Sequence, residues 1–178
     1  MARRLLLVAA LLGAARLQSA TLEQLSLSDL VARSTAIVHG TVQGSYTAFS
    51  GPLIFTHYRV QVAERWKGAG GATIDVAVPG GVASGIRQTY SGAPQFQPGD
   101  ECVMFLWTGK SGITQIMGFS QGVFVVAPDG SADPNATRNA SHELMLDSST
   151  HQQVTDQPIT MHLSALRALV TSALGAGQ

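Results

Sequence analysis

Two long stretches of this chain alternate apolar and polar residues with a period of two. "AIVHGTVQGSYTAF" sends Val38, Gly40 and Val42 one way, and Ile37, His39, Thr41 and Gln43 the other. "LIFTHYRVQVAERWKG" sends Tyr58, Val60 and Val62 inward and His57, Arg59 and Gln61 outward. Side chains two apart share one face of a strand, so each stretch predicts a half-buried β-strand. "ATIDVAVPGG" predicts a third, with Ile74, Val76 and Val78 together, and "GIRQTYSGAPQF" a weaker fourth. "ECVMFLW" is apolar on both faces and predicts a central, covered strand. "ITQIMGFSQGVFVVAPDG" predicts two short strands meeting around Gly118 to Gly122. Gly/Pro turns separate the strands, with no helical pattern between them. That succession predicts an all-β domain, an antiparallel OB-like barrel, with a β-sandwich as the alternative. Gly40 and Gly44 suit a curved sheet.

Helical periodicity occurs only near the ends. Ser28 with Asp29 is a candidate cap for one or two turns reaching Arg33. Leu163, Leu166, Leu169, Val170 and Leu174 form a stripe that predicts a helix after Pro158. Residues 131–157 are polar and turn-rich and read as a loop. That loop holds Asn135-Ala-Thr137 and Asn139-Ala-Ser141, which fit the N-glycosylation pattern.

The first twenty residues read as a separate element. Met1-Ala-Arg3-Arg4 is basic, and Leu5 to Ala15 is an unbroken run of apolar and small residues. This is the pattern of a secretory signal, cut near Ala15 or Ala20. The expected organisation is therefore a signal at 1–20, a β-barrel at 21–130, a polar loop at 131–157 and a helix at 158–174. The expected location is secreted or periplasmic, with no stable membrane insertion after cleavage. Without Arg3, Arg4 and Arg16, the balance of 11 basic and 11 acidic residues becomes a net charge of −3. No basic cluster remains, which argues against nucleic acid as a partner. Only 12% of residues are charged, so Ser, Thr, Gln, Asn and Gly must supply much of the surface. Cys102 stands alone in an apolar run, which predicts a buried thiol rather than a disulfide.

Several short motifs invite chemistry. Gly118-Phe119-Ser120-Gln121-Gly122 matches the nucleophile-elbow pattern G-x-S-x-G. That motif needs a helix after its serine, and "VFVV" is a strand sequence. A small serine hydrolase using Ser120 is the alternative reading, not the leading one. His142-Glu143 would start a zinc motif, but position 146 is Leu146 where a second histidine is needed. No metal or other cofactor is expected. His39 and His57 on adjacent strands could at most hold a metal weakly. "VPGGVASG" resembles a phosphate cradle without the helix that makes one bind anions, and it reads as a mobile loop. Loops on a rigid scaffold carry function. The candidate partner-binding residues are therefore Gly80, Gly81, Ser84, Gly85, Arg87 and Tyr90.

The order of segments also carries a resemblance. "STAIVHGTV", "FTHYRVQVAERWKG", "VPGGVASG", "GAPQFQPGDECVMFLW" and "GFSQGVFVV" are similar to a group of uncharacterised exported bacterial proteins. Similar segments precede matrixin-type metalloprotease domains in some longer chains. The resemblance covers roughly residues 28–127. It implies an all-β module and export, and no activity. The strand-turn arrangement is also faintly similar to netrin and TIMP-type modules, without their cysteines. Together these readings predict a non-catalytic exported accessory module. It would touch a protein partner through loop 79–99 and the C-terminal helix.

Overall fold

The computed structural model describes residues 21–127, 129–141 and 143–176. The expected signal at 1–20 and His142 lie outside the described residues. In chain order the elements begin with β1 (Thr21–Glu23), α1 (Leu27–Arg33), β2 (Ala36–Ser50), β3 (Leu53–Lys67) and β4 (Thr73–Pro79). There follow β5 (Gly81–Ala83), β6 (Ile86–Gln88), β7 (Glu101–Thr108) and β8 (Thr114–Ile116). A 3-10 turn (Phe119–Gly122) leads into β9 (Val123–Val126). The chain ends with β10 (Asn135–Arg138), β11 (Leu144–Leu146), β12 (Gln153–Val154), β13 (Ile159–His162) and α2 (Leu163–Ala176). The chain is mostly β-sheet with two helices, an all-β architecture.

The main sheet has eight strands in the order β13-β10-β9-β7-β2-β3-β4-β8, and β8 pairs with β7 as well as β4. Its ladders are antiparallel apart from the short β4–β8 contact, which is parallel. The short β1 also runs parallel to its neighbour β11. The hairpin β2–β3 turns through Gly51-Pro52, where glycine carries a φ of 59°. Its register shifts at Ile37/Val38, His39/Gly40 and Val42/Gly44. Bulges of this kind bend a strand and increase its twist. At Gly40 a Cβ would sit 2.3 Å from the Gln61 carbonyl oxygen, so the close strand approach requires glycine. At Gly44 a Cβ would meet open space.

The alternation in β2, β3, β4 and β7 builds two cores. Val38, Val42, Tyr58, Val60, Val76, Val78, Cys102, Met104 and Leu106 form the first. Ile37, Val103, Phe105 and Phe124 face the other way, under Leu30 and Val31 of α1 and Leu166 and Val170 of α2. β7 supplies both cores, which explains why it is apolar on both faces. One expectation is corrected here, where Trp66 and Glu101 lie against His39. His39 does not point to solvent: its residue exposure is 7%.

Both helices start where local hydrogen bonding allows. α1 is capped by Ser26 rather than Ser28. The Ser26 hydroxyl accepts from the Asp29 N–H at 3.1 Å, and the Asp29 carboxylate accepts from the Ser26 N–H at 3.1 Å. This reciprocal box satisfies two otherwise unpaired donors. The Ser26 hydroxyl in turn holds the Asp29 carboxyl below its usual range. α2 begins at Leu163, later than expected, because residues 159–162 pair with β10 as β13. Asp133 caps α2 from a distant loop, accepting from the Ser164 N–H at 2.9 Å and the Ser164 hydroxyl at 2.6 Å.

Segment 131–157, expected as loop, carries β10, β11 and β12. Arg138 on β10 donates to Asp156 at 2.6 Å, and both residues are buried. Asp156 also accepts from the Ser141 N–H at 2.8 Å. The ion pair therefore ties this polar segment to the main sheet. No helix among the described residues is long and apolar enough to cross a membrane.

Candidate functional site

Segment 79–99 is more ordered than the mobile loop its glycines suggest. β5 and β6 form a tight hairpin whose central residues, Ser84 and Gly85, have φ of 49° and 78°. Two successive positive φ values are the requirement of a type I′ hairpin turn. The hairpin lies against the tip of β2–β3. The Thr47 hydroxyl donates to the Val82 carbonyl at 2.6 Å. The Gln88 side chain accepts from the Ile54 N–H at 2.7 Å and donates to the Pro52 carbonyl at 2.9 Å.

After the hairpin, the chain is anchored by Phe96. Its ring is buried and meets Tyr58 edge-on at 5.0 Å between centroids. The Gly99 N–H then donates to the Val42 carbonyl at 2.8 Å. On the other side, the Ser91 hydroxyl donates to Glu143 at 2.5 Å, and Glu143 packs over Gly92. Phe96 and Gly92 belong to the segment "GAPQFQPGD". Its spacing thus serves a structural purpose: one aromatic plugs the core while the loop stays at the surface.

Between hairpin and anchor lies a cavity of about 220 Å³. Gly80, Gly81, Arg87 and Tyr90 line it, together with Thr56 and Gln95. The structure therefore gathers four of the six candidate loop residues around one space. Ser84 and Gly85 form the hairpin turn and do not line it. Near this cavity, sequence reasoning missed four exposed apolar side chains. Phe49 and Leu53 on one hairpin tip and Val82 and Ile86 on the other are each 40% to 52% exposed. They are scattered in sequence and lie on both faces of the tips: Phe49 pairs with Ile54 while Leu53 pairs with Ser50, and Val82 pairs with Arg87 while Ile86 pairs with Ala83. Of the α2 stripe, Leu166 and Val170 are buried and Leu169 is exposed.

The other candidates resolve differently. Ser120 sits in the 3-10 turn, after Gly118 in the left-handed region and Phe119 with a φ of 55°. Its Oγ makes no hydrogen bond to a described residue, and the chain continues as strand β9. A nucleophile needs a base within hydrogen-bond reach, and the side chain buried in this motif is Gln121 instead. Its carbonyl oxygen accepts from the Leu25 N–H at 2.8 Å and its amide donates to the Glu23 carbonyl at 2.9 Å. Gln121 thereby pins the chain between β1 and α1 to the turn. Gly122 is needed because a Cβ there would lie 2.2 Å from the Met117 carbonyl oxygen. We expect Gln121→Ala to cost about 2 kcal/mol, since it strands two main-chain groups of which Leu25 N–H is buried. Urea unfolding checks this: an unchanged midpoint would remove the latch role.

The histidines do not converge. His39 pairs with Glu64 in the β2–β3 register, and His57 with Tyr46, so they stand roughly 20 Å apart along the ladder. His39 Nε2 contacts Glu101 at 2.6 Å, and His57 Nδ1 contacts Asp75 at 2.5 Å. Tyr46 stacks on His57 at 4.8 Å and donates its hydroxyl to the same Asp75. Among the described residues, no three His, Cys, Asp or Glu side chains could hold one metal ion. The Cys102 thiol is buried, and desolvation pushes its pKa up to about 12. It is therefore protonated and unreactive at neutral pH. A second cavity, of about 350 Å³, lies over α1 and is lined by Leu25, Ser26, Leu30, Phe124, Arg138 and Ile159 among others.

Compared with family models, curated proteins and solved structures, the chain matches none. The functional reading therefore rests on the site itself.

Proposed function

We propose that this chain is a non-catalytic, exported binding module. It is an OB-like barrel that engages a protein partner through one end. The observation that carries this reading is that Phe49, Leu53, Val82 and Ile86 are exposed on two docked hairpin tips. Exposed large apolar side chains on docked tips beside a polar cavity suit an interaction site. The barrel form is supported by β8, which pairs with both β4 and β7 and so links β7, β2, β3, β4 and β8 into a ring. Five strands closed in this way suit the OB architecture, whose loops recognise ligands. Export is supported by the basic and then apolar start of the chain. α2 spends most of its apolar stripe on the second core, so the hairpin end is the contact surface.

Site-specific photo-crosslinking in the exported fraction of the producing cell tests this. A photoreactive residue at Phe49 or Ile86 captures a discrete protein adduct. The same residue at the exposed Val125, on β9, does not. Adducts absent from both tips, or identical from Val125, would rule the reading out.

A further inference from the structure

We propose that the outer edge of β6 docks an extended peptide that sets a carboxylate opposite Arg87. This deepens the binding-module reading, rests on it, and names the chemistry of the partner.

The register of the hairpin carries the argument. Val82 is directly opposite Arg87. The Val82 carbonyl accepts from the Thr47 hydroxyl of β2, so the main chain of Val82 faces away from β6. In an antiparallel pair, directly opposed residues either both face inward or both face outward. Arg87 therefore turns its N–H and C=O away from β5, toward an edge on which no strand of the described residues lies. An exposed edge of this kind is a template for strand addition.

Charge selects the occupant. Arg87 is the one charged residue in segments 49–56 and 80–95. Its guanidinium makes no hydrogen bond or ion pair to a described residue. Glu143, which packs on Gly92 of the same loop, holds the Ser91 hydroxyl. Arg87 lines the cavity with the neutral Thr56, Thr89, Tyr90 and Gln95. An incoming strand that bonds to both main-chain groups of Arg87 places its own side chain beside the guanidinium. Opposite charges are favoured at that cross-strand position. The residues on either side of it point to the opposite face, which carries the exposed Ile86. The occupant is thus an extended segment with one Asp or Glu between apolar residues. β6 is short and offers one doubly bonded pair, so side-chain contacts must supply most of the affinity.

A library of seven-residue peptides, acetylated and amidated at their ends and randomised over apolar, neutral polar and acidic residues, tests this on the immobilised full chain. Enriched peptides carry a single carboxylate flanked by apolar residues. Replacing it with the matching amide weakens binding at least tenfold by fluorescence anisotropy. N-methylating the backbone at that residue does the same. Arg87→Gln erases the preference and Arg87→Lys restores part of it. The proposal is overturned if no sequence enriches, if enriched peptides lack an acid, or if they bind Arg87→Gln as tightly. Crosslinks from Phe49 and Ile86 that persist unchanged in Arg87→Gln would overturn the strand edge alone. Loss of the crosslinks from the wild-type chain would remove the module reading itself.

Discussion

Asp156→Ala is expected to destabilise the chain by about 3–5 kcal/mol, the cost of leaving one member of a buried ion pair uncompensated. Arg138 and Asp156 expose only 6% and 1% of their side chains. Without Asp156, the guanidinium keeps the Gln157 carbonyl at 3.2 Å as its remaining acceptor, and the Ser141 N–H loses its own. A domain of this size has roughly 5–15 kcal/mol in total, so the variant approaches the limit of folding. The urea midpoint measures the effect. Two further variants separate charge from hydrogen bonding. Asp156→Asn keeps an acceptor for Ser141 and should fall between wild type and alanine. Arg138→Met with Asp156→Leu removes both charges and should recover most of the loss, because burying an ion pair contributes little net stability. A cost below about 1 kcal/mol for Asp156→Ala would mean the guanidinium reaches water.

Phe96→Ala is the second large expectation. Phe96 is buried in the first core against Tyr58. Truncating a buried phenylalanine costs about 3–5 kcal/mol through lost transfer energy and the cavity left behind. The local effect should exceed the global one. Phe96 is the anchor between the hairpin and Gly99, so segment 89–98 loses its inward attachment. Limited proteolysis should then cut within this segment under conditions that leave β2, β3 and β7 intact. Uniform sensitivity along the chain would show that Phe96 contributes to the core without holding the loop.

The strands were legible where one face meets solvent and the other a core. In β2, β3 and β4 the alternation identified Val38, Val42, Tyr58, Val60, Val76 and Val78. β7 was legible through the opposite signal, an apolar run on both faces. What alternation could not show is what covers the second face. His39 reads as outward until Trp66 and Glu101 are placed beside it. The helix cap was read two residues late for a local reason. Ser26 and Ser28 are equally good caps in isolation, and Asp29 decides by closing the box with Ser26. β10 and β13 were not legible. "NATR" and "ITMH" are short and mostly polar, and they become strands through partners distant in sequence. Strand preference depends on such context more than on composition.

The candidate site was legible in part. Glycine and turn chemistry led to Gly80, Gly81, Arg87 and Tyr90, which share a cavity. The apolar tips were not legible, since each is an ordinary strand residue until two hairpins meet. G-x-S-x-G was read with Ser120 as the alternative nucleophile, and its structure is built around the residues beside that serine. In it Gln121 buries an amide hydrogen-bonded to Leu25 and Gly122 makes a close approach to Met117.

β7 places Met104 in one core and Phe105 in the other, on adjacent residues of a single strand. Each core therefore uses the same wall. Loosening that wall from either side frees the packing on both, so the two cores are expected to melt together. Such a body suits a module that must present two hairpin tips in fixed relation.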